Sequence, residues 1–301
     1  MRRHLWKPAL LAAFCVLLLP AFLSAQAPSN DRPPEEASPA EPPPALEGRP
    51  TDLLPDLPPP ANTIDRVRRR GALRVGVCAF VPWAMQEENG EWMGFEIDVA
   101  RKLAEDLGVE ARFVPASWPH ILDDLLTERF DIIISGLSID PRRALLVNFS
   151  IPYNHSEETV VAHRAKAGDA KTVQDLNRDG VVLGARSRTT AQKAAEHAFP
   201  QARLQTFEDD ESLLQALLEG EVHAAVGSSP APEIFAAGAP EALFLPLAEP
   251  LERHGEAFAI RKGDADFLSY LDTWIRYYEE NGWLEDRRDF WFHSLEWQDR
   301  L

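Results

Sequence analysis

The sequence predicts an α/β protein, and three observations carry that prediction. Short β-branched runs alternate with amphipathic helical stretches from Ile64 onward. Recognisable caps and stops bound those helices, among them Gly108 and the pair Asn281-Gly282. A composition of 45% hydrophobic and 26% charged residues suits a chain that buries a proper core.

The elements follow in order. Leu73, Val75 and Val77 alternate with Arg74 and Gly76, which reads as a strand. Asp98 offers an N-cap to a helix carrying Val99, Leu103 and Leu107 on one stripe, stopped by Gly108. Arg112–Pro115 is a short strand, Pro119–Thr127 a helix opening on proline, and Asp131–Ile134 a buried strand. Val181–Gly184 and Ala224–Gly227 repeat the strand pattern, with helices over Thr190–Ala198 and Glu211–Glu219 between them. Phe267, Leu271, Trp274 and Tyr278 then recur at helical spacing. Strands separated by helices imply parallel sheets, with ligands at the carboxyl ends of the strands.

Charge and composition narrow the function. Against 31 Lys and Arg stand 48 Asp and Glu, a formal net charge of −17. So acidic a surface repels phosphate backbones, which argues against nucleic acid as a partner. Twelve of the 25 prolines fall between Pro28 and Pro60, and this marks residues 26–63 as a solvated, acidic, disordered linker. Residues 1–25 read as a secretory signal: Arg2, Arg3 and Lys7, then the apolar run Ala9–Leu19, then Leu23-Ser24-Ala25 for cleavage. A periplasmic location follows, with an uncleaved membrane anchor as the alternative. Cys15 lies in the apolar run, so Cys78 stands alone after processing. No disulfide, cysteine metal site, histidine ligand spacing, phosphate loop or nucleophile elbow is recognisable, and no cofactor is expected.

Two motifs carry a family resemblance. Gly94-Phe95-Glu96-Ile97-Asp98 resembles the Gly-Phe-Asp-x-Asp signature of periplasmic solute-binding proteins of the polar amino-acid type. The longer block from Asp131 through Ser135-Gly136-Leu137-Ser138-Ile139-Asp140-Pro141-Arg142-Arg143 to Phe149-Ser150-Ile151-Pro152-Tyr153 resembles that family's central segment. Phe113–Pro119 and Phe149–Tyr153 look most like the periplasmic cyclohexadienyl dehydratases within it. The resemblance implies a two-lobe periplasmic binding protein of type 2 with two hinge crossovers. Lobe 1 would span 64–158 and 257–301, and lobe 2 would span 159–256. The tail Trp291–Trp297 would dock over lobe 1.

The resemblance also nominates a cleft. Arg143 matches the arginine that holds a ligand carboxylate, and a guanidinium fork suits that task. Ser138 matches a ligand-facing threonine, and Gly136 lets the backbone approach. Asp140 stands where a second threonine is usual and could pair with Arg143. Phe80 and Trp118 match rings that close over the ligand, with Trp83 packed beneath. In lobe 2, Arg186 matches a residue that touches the ligand's side chain. Thr189 matches the loop before an anion-binding helix, where Arg188 replaces a common glycine. Ser228 replaces the aspartate that neutralises an amino acid's ammonium group.

A buried ammonium without a counter-charge is costly, so Ser228 favours an anionic ligand unless Asp140 or Glu96 compensates. The dehydratases' general-acid glutamate falls at Ala191, which cannot donate a proton. The leading expectation is thus an exported, monomeric protein that captures a small anionic or amino-acid-like solute for an inner-membrane ABC permease. A dehydratase acting on prephenate or arogenate and a membrane-tethered sensor are the alternatives.

Overall fold

A computed structural model describes residues 62–87, 89–294 and 296–297. The expected signal and nearly all of the proline-rich linker lie outside the described residues. Thirteen strands occur among the described residues. The first six are β1 (Ala72–Val77), β2 (Met85–Gln86), β3 (Trp92–Met93), β4 (Glu110–Pro115), β5 (Ile132–Ile133) and β6 (Val147–Phe149). There follow β7 (Asn154–His163), β8 (Val182–Arg186), β9 (Arg203–Phe207) and β10 (Ala224–Ser228). Last come β11 (Leu243–Phe244), β12 (Glu252–Glu256) and β13 (Ala259–Arg261).

These strands form two principal sheets. The first runs in the order β4-β1-β5-β13-β6, and the second in the order β11-β7-β10-β8-β9 with β12 also on β7. The expected parallel pairing holds for β1 with β4 and β5, and for β8 with β9 and β10. It does not hold throughout. β7, β11, β12 and β13 pair antiparallel with their neighbours, so both sheets are mixed. The reason is topological: the chain leaves the first sheet after β6 and returns from the second after β12. Those two crossings run side by side, with Glu256 opposite Asn154 and Glu252 opposite Glu158.

Each sheet has its own apolar packing. Beneath the first lie Leu73, Val75, Phe95, Leu103, Phe267, Leu271 and Trp274, all buried. Helix Phe95–Asp106 starts at Gly94 and not at Asp98, whose carboxylate instead accepts from Trp291 Nε1 at 2.8 Å. Trp291 and Trp297 belong to the same core, so this part of the tail packs against the first lobe. Helix Ala265–Glu280 buries Phe267, Leu271, Trp274 and Tyr278, the four residues its spacing singles out. The second sheet packs on Leu183, Ala191, Ala195, Phe199 and Val226 on one side and on Leu213, Leu217 and Val222 on the other. The single helix expected at Pro119–Thr127 divides into a short turn, Trp118–His120, and a helix, Ile121–Leu126. Among the described residues no helix is long and apolar enough to cross a membrane.

Candidate functional site

Strand ends from both sheets converge on one small cavity. Phe80 comes from the loop after β1, and Gly136 and Ser138 follow β5. Arg186 ends β8, and Ser228 ends β10. These five, with Trp118, Thr189, Thr190 and Asp210, line a space of about 40 Å³. A cavity that admits a benzene-sized guest measures roughly 150 Å³, so a solute enters only if the lobes part or a side chain swings away.

Arg143 sits beside this space. Its guanidinium is buried, lies over the Trp118 ring at 5.6 Å, and donates to the Ser138 carbonyl at 3.0 Å. Its other terminal nitrogen donates to the Arg188 carbonyl at 3.0 Å, a contact from the first lobe to the second. Trp118 Nε1 donates to that same carbonyl at 3.3 Å. Arg188 takes a φ of 60°, the left-handed region that the glycine usual at this position enters without strain. Its guanidinium donates back to the Pro119 carbonyl at 2.8 Å.

Three of the expected site residues are engaged within the protein itself. Asp140 does not pair with the Arg143 guanidinium. Its carboxylate accepts from the backbone amides of Arg142 and Arg143 as the N-cap of helix Pro141–Ala144, and it meets Lys193 Nζ at 2.5 Å. Burial works against its charge, but Lys193 and the two amides prevail and hold the carboxyl below its ordinary range. Thr189 lines the cavity, yet its hydroxyl is committed to the helix it caps: it accepts from the Gln192 amide and donates to the Arg186 carbonyl. Arg186 is no free cation. It pairs with Asp210 at 3.0 Å, and its guanidinium lies over Phe80 at 5.7 Å and Trp118 at 5.3 Å. The two rings therefore face the protein's own guanidinium.

Three buried acids lie around the cleft, of which sequence reasoning named Glu96 and missed Glu158 and Glu256. Glu158 on β7 is completely buried and accepts from Ser228 Oγ at 3.2 and 3.1 Å. Burial pushes its carboxyl up to about 7, against the opposing bonds from Thr190 and Ser228. Behind Gly136 lie Glu96 and Glu256. Glu96 accepts from the Gly136 amide at 2.9 Å and from Tyr153 Oη at 2.7 Å. Glu256 accepts from Trp83 Nε1 at 2.9 Å and Asn154 Nδ2 at 2.7 Å. Burial raises both, Glu96 well above its ordinary value. Trp83 packs beneath Phe80 as expected, with centroids 4.1 Å apart. Ala191, which the resemblance matches to the dehydratases' acid, lines the cavity with only a methyl side chain.

The three buried glutamates set a pH dependence of stability. Each has a raised value in the fold, so its contribution is fully present below the unfolded value and is lost as pH rises through the folded one. For Glu158 that window runs from 4.5 to about 7 and is worth on the order of 3 kcal/mol. Thermal unfolding is expected at a higher temperature at pH 5 than at pH 8, and Glu158→Gln should narrow the difference. Equal melting temperatures for the parent protein at the two pH values would refute this.

Comparison with known proteins agrees with this architecture. The profile of the bacterial extracellular solute-binding proteins, family 3, matches residues 73–294. The cyclohexadienyl dehydratase of Pseudomonas aeruginosa is 28% identical over 231 residues, covering 76% of this chain and 86% of the relative. An ancestral amino acid-binding protein described as a precursor of cyclohexadienyl dehydratase superposes with a TM-score of 0.70 at 34% identity, covering 77% of this chain and all of that one. A binding component of an ABC transporter from Wolinella succinogenes, solved with lysine, gives 0.72 at 31% identity, covering 76% and 99%. With its two lobes and a matching profile over most of its length, the chain belongs to the bacterial extracellular solute-binding proteins, family 3.

Proposed function

We propose that this is an exported solute-binding protein that closes its two lobes on a small carboxylate-bearing solute and presents it to an ABC-type permease. The observation that carries the reading is the buried Arg143 guanidinium beside the interlobe cavity, lying over the Trp118 ring and bonded to a carbonyl of each lobe. A buried guanidinium is costly unless its donors are satisfied, and an incoming carboxylate can replace the Arg188 carbonyl with a stronger, charge-assisted bond. Phe80 and Trp118 then pack on the organic body once Arg186 yields its place between them. Relatives that bind amino acids and one solved as an ABC-transporter component support the same reading.

The test is a thermal-shift screen of the purified protein, first against L-lysine, L-arginine, L-cystine and L-phenylalanine. Succinate and 3-phenylpropanoate extend it to acids without an α-amine. Selective stabilisation by at least one carboxylate is expected; no response to any of them refutes the proposal. Turnover is a separate reading, supported by the dehydratase relative but lacking a proton donor at Ala191. Incubation with prephenate tests it, and absence of phenylpyruvate dismisses it.

A further inference from the structure

Glu158 is the most unusual group near the cavity. It is completely buried on β7, and among the described residues no lysine, arginine or histidine forms an ion pair with it. Its side-chain hydrogen-bond partners are the hydroxyls of Ser228 and Thr190. Both of those hydroxyls line the cavity. The charged groups facing Glu158 are Glu252 and Glu256 on β12 and, at longer range, Arg143 from the first lobe. Two acids and one distant cation leave a carboxylate here poorly compensated.

The hydroxyls translate that imbalance into the cavity. A serine or threonine that donates its proton to Glu158 keeps its lone pairs for other donors. Thr190 Oγ1 already lies 3.3 Å from Ser138 Oγ, and Ser138, Thr190 and Ser228 all line the cavity. With Glu158 ionised, the wall at Ser228 and Thr190 presents acceptors with a negative charge one bond behind. Beside the cavity stands the cation Arg143, bonded to the Ser138 carbonyl and lying over the Trp118 ring. A solute whose carboxylate meets Arg143 and whose ammonium group meets these acceptors satisfies both.

We propose that Glu158 is a specificity-determining positioning residue that acts through Ser228 and Thr190, and that capture of a solute bearing a carboxylate and an ammonium group releases its proton. The step balances simply: the carboxyl O–H breaks, its proton passes to the buffer, and the carboxylate remains as counter-ion to the bound ammonium. The inference rests on the carboxylate-capture reading above and narrows it. It also assigns the counter-charge that Ser228 lacks to a residue on a neighbouring strand.

Titration calorimetry on the purified full chain tests it, with L-lysine and L-phenylalanine as probes and their amine-free counterparts hexanoate and 3-phenylpropanoate. In two buffers of different ionisation enthalpy at pH 6, the amine-bearing probe that binds should release about one proton. Its affinity should rise about tenfold or more from pH 5.5 to 7.5, because the ionised form of Glu158 becomes populated across that range. Glu158→Gln should flatten that profile, abolish the proton release and weaken the probe at pH 7.5 by about tenfold. The same variant should leave any amine-free acid unaffected. A Glu158→Gln protein that keeps the pH profile overturns the assignment. Binding of only the amine-free acids overturns it too, but leaves carboxylate capture standing. Binding of neither kind overturns both.

Discussion

Arg143→Ala is expected to weaken capture of a carboxylate-bearing solute by about a hundredfold or more. Two charge-assisted bonds to one carboxylate contribute roughly 1.5–3 kcal/mol each, and 1.4 kcal/mol is a factor of ten. Replacement by lysine keeps the charge but loses the planar fork and the stack on Trp118, so an intermediate loss is expected there. The fold should tolerate the alanine, because the change removes a buried charge whose burial is itself unfavourable. Calorimetry on the parent and both variants decides the matter. An alanine variant that binds within threefold of the parent would remove Arg143 from the site.

Gly94→Ala is expected to cost more than about 3 kcal/mol of folding stability. Gly94 has a φ of 135°, a region that residues with a Cβ rarely enter, and a Cβ there would lie 2.3 Å from the Trp83 carbonyl oxygen. Neither obstacle can move cheaply. The carbonyls of Pro82 and Trp83 accept from the amides of Phe95 and Glu96 at 3.2 and 2.9 Å, which ties the start of the helix to the loop bearing Phe80. The substitution should therefore damage the cleft as well as the core. Gly90→Ala is the control: its φ of 86° is also positive, but nothing stands within 4 Å of the new carbon. Denaturant unfolding should show a small change there, about 1 kcal/mol. Equal effects at the two positions would contradict the clash argument.

The elements most readable in the sequence are those whose burial follows a single period. Helix Thr190–Ala198 and the stripe of helix Ala265–Glu280 emerge from spacing alone because one face of each is apolar and the caps are unambiguous. The crossing strands were silent for the opposite reason. Asn154-His155-Ser156-Glu157-Glu158 carries no apolar alternation, since its inward positions Asn154, Ser156 and Glu158 are all polar. Glu158 was hidden with it, because its partner Ser228 lies 70 residues away. Asp210 has no local signature either, because its pairing with Arg186 spans two elements. Asp140 does carry a local signal: aspartate followed by proline at a helix start is a capping pattern, and its carboxylate caps helix Pro141–Ala144. The positions around the cavity owe their recognition to motif resemblance, whereas their bonding partners belong to tertiary structure.

The carbonyl of Arg188 occupies donors of Arg143 and Trp118, while the Arg188 side chain fastens to Pro119. Under the proposed carboxylate capture, a solute would need the Arg143 donor. The protein is thus a competitor for its own cleft. An empty molecule that satisfies its anchors internally offers the solute only the difference between two bonded states. The measured affinity falls by the fraction of molecules open at any moment, tenfold for each 1.4 kcal/mol of self-closure. Such a protein discriminates by displacement: a weak mimic that cannot dislodge the Arg188 carbonyl gains nothing from fitting the cavity's outline.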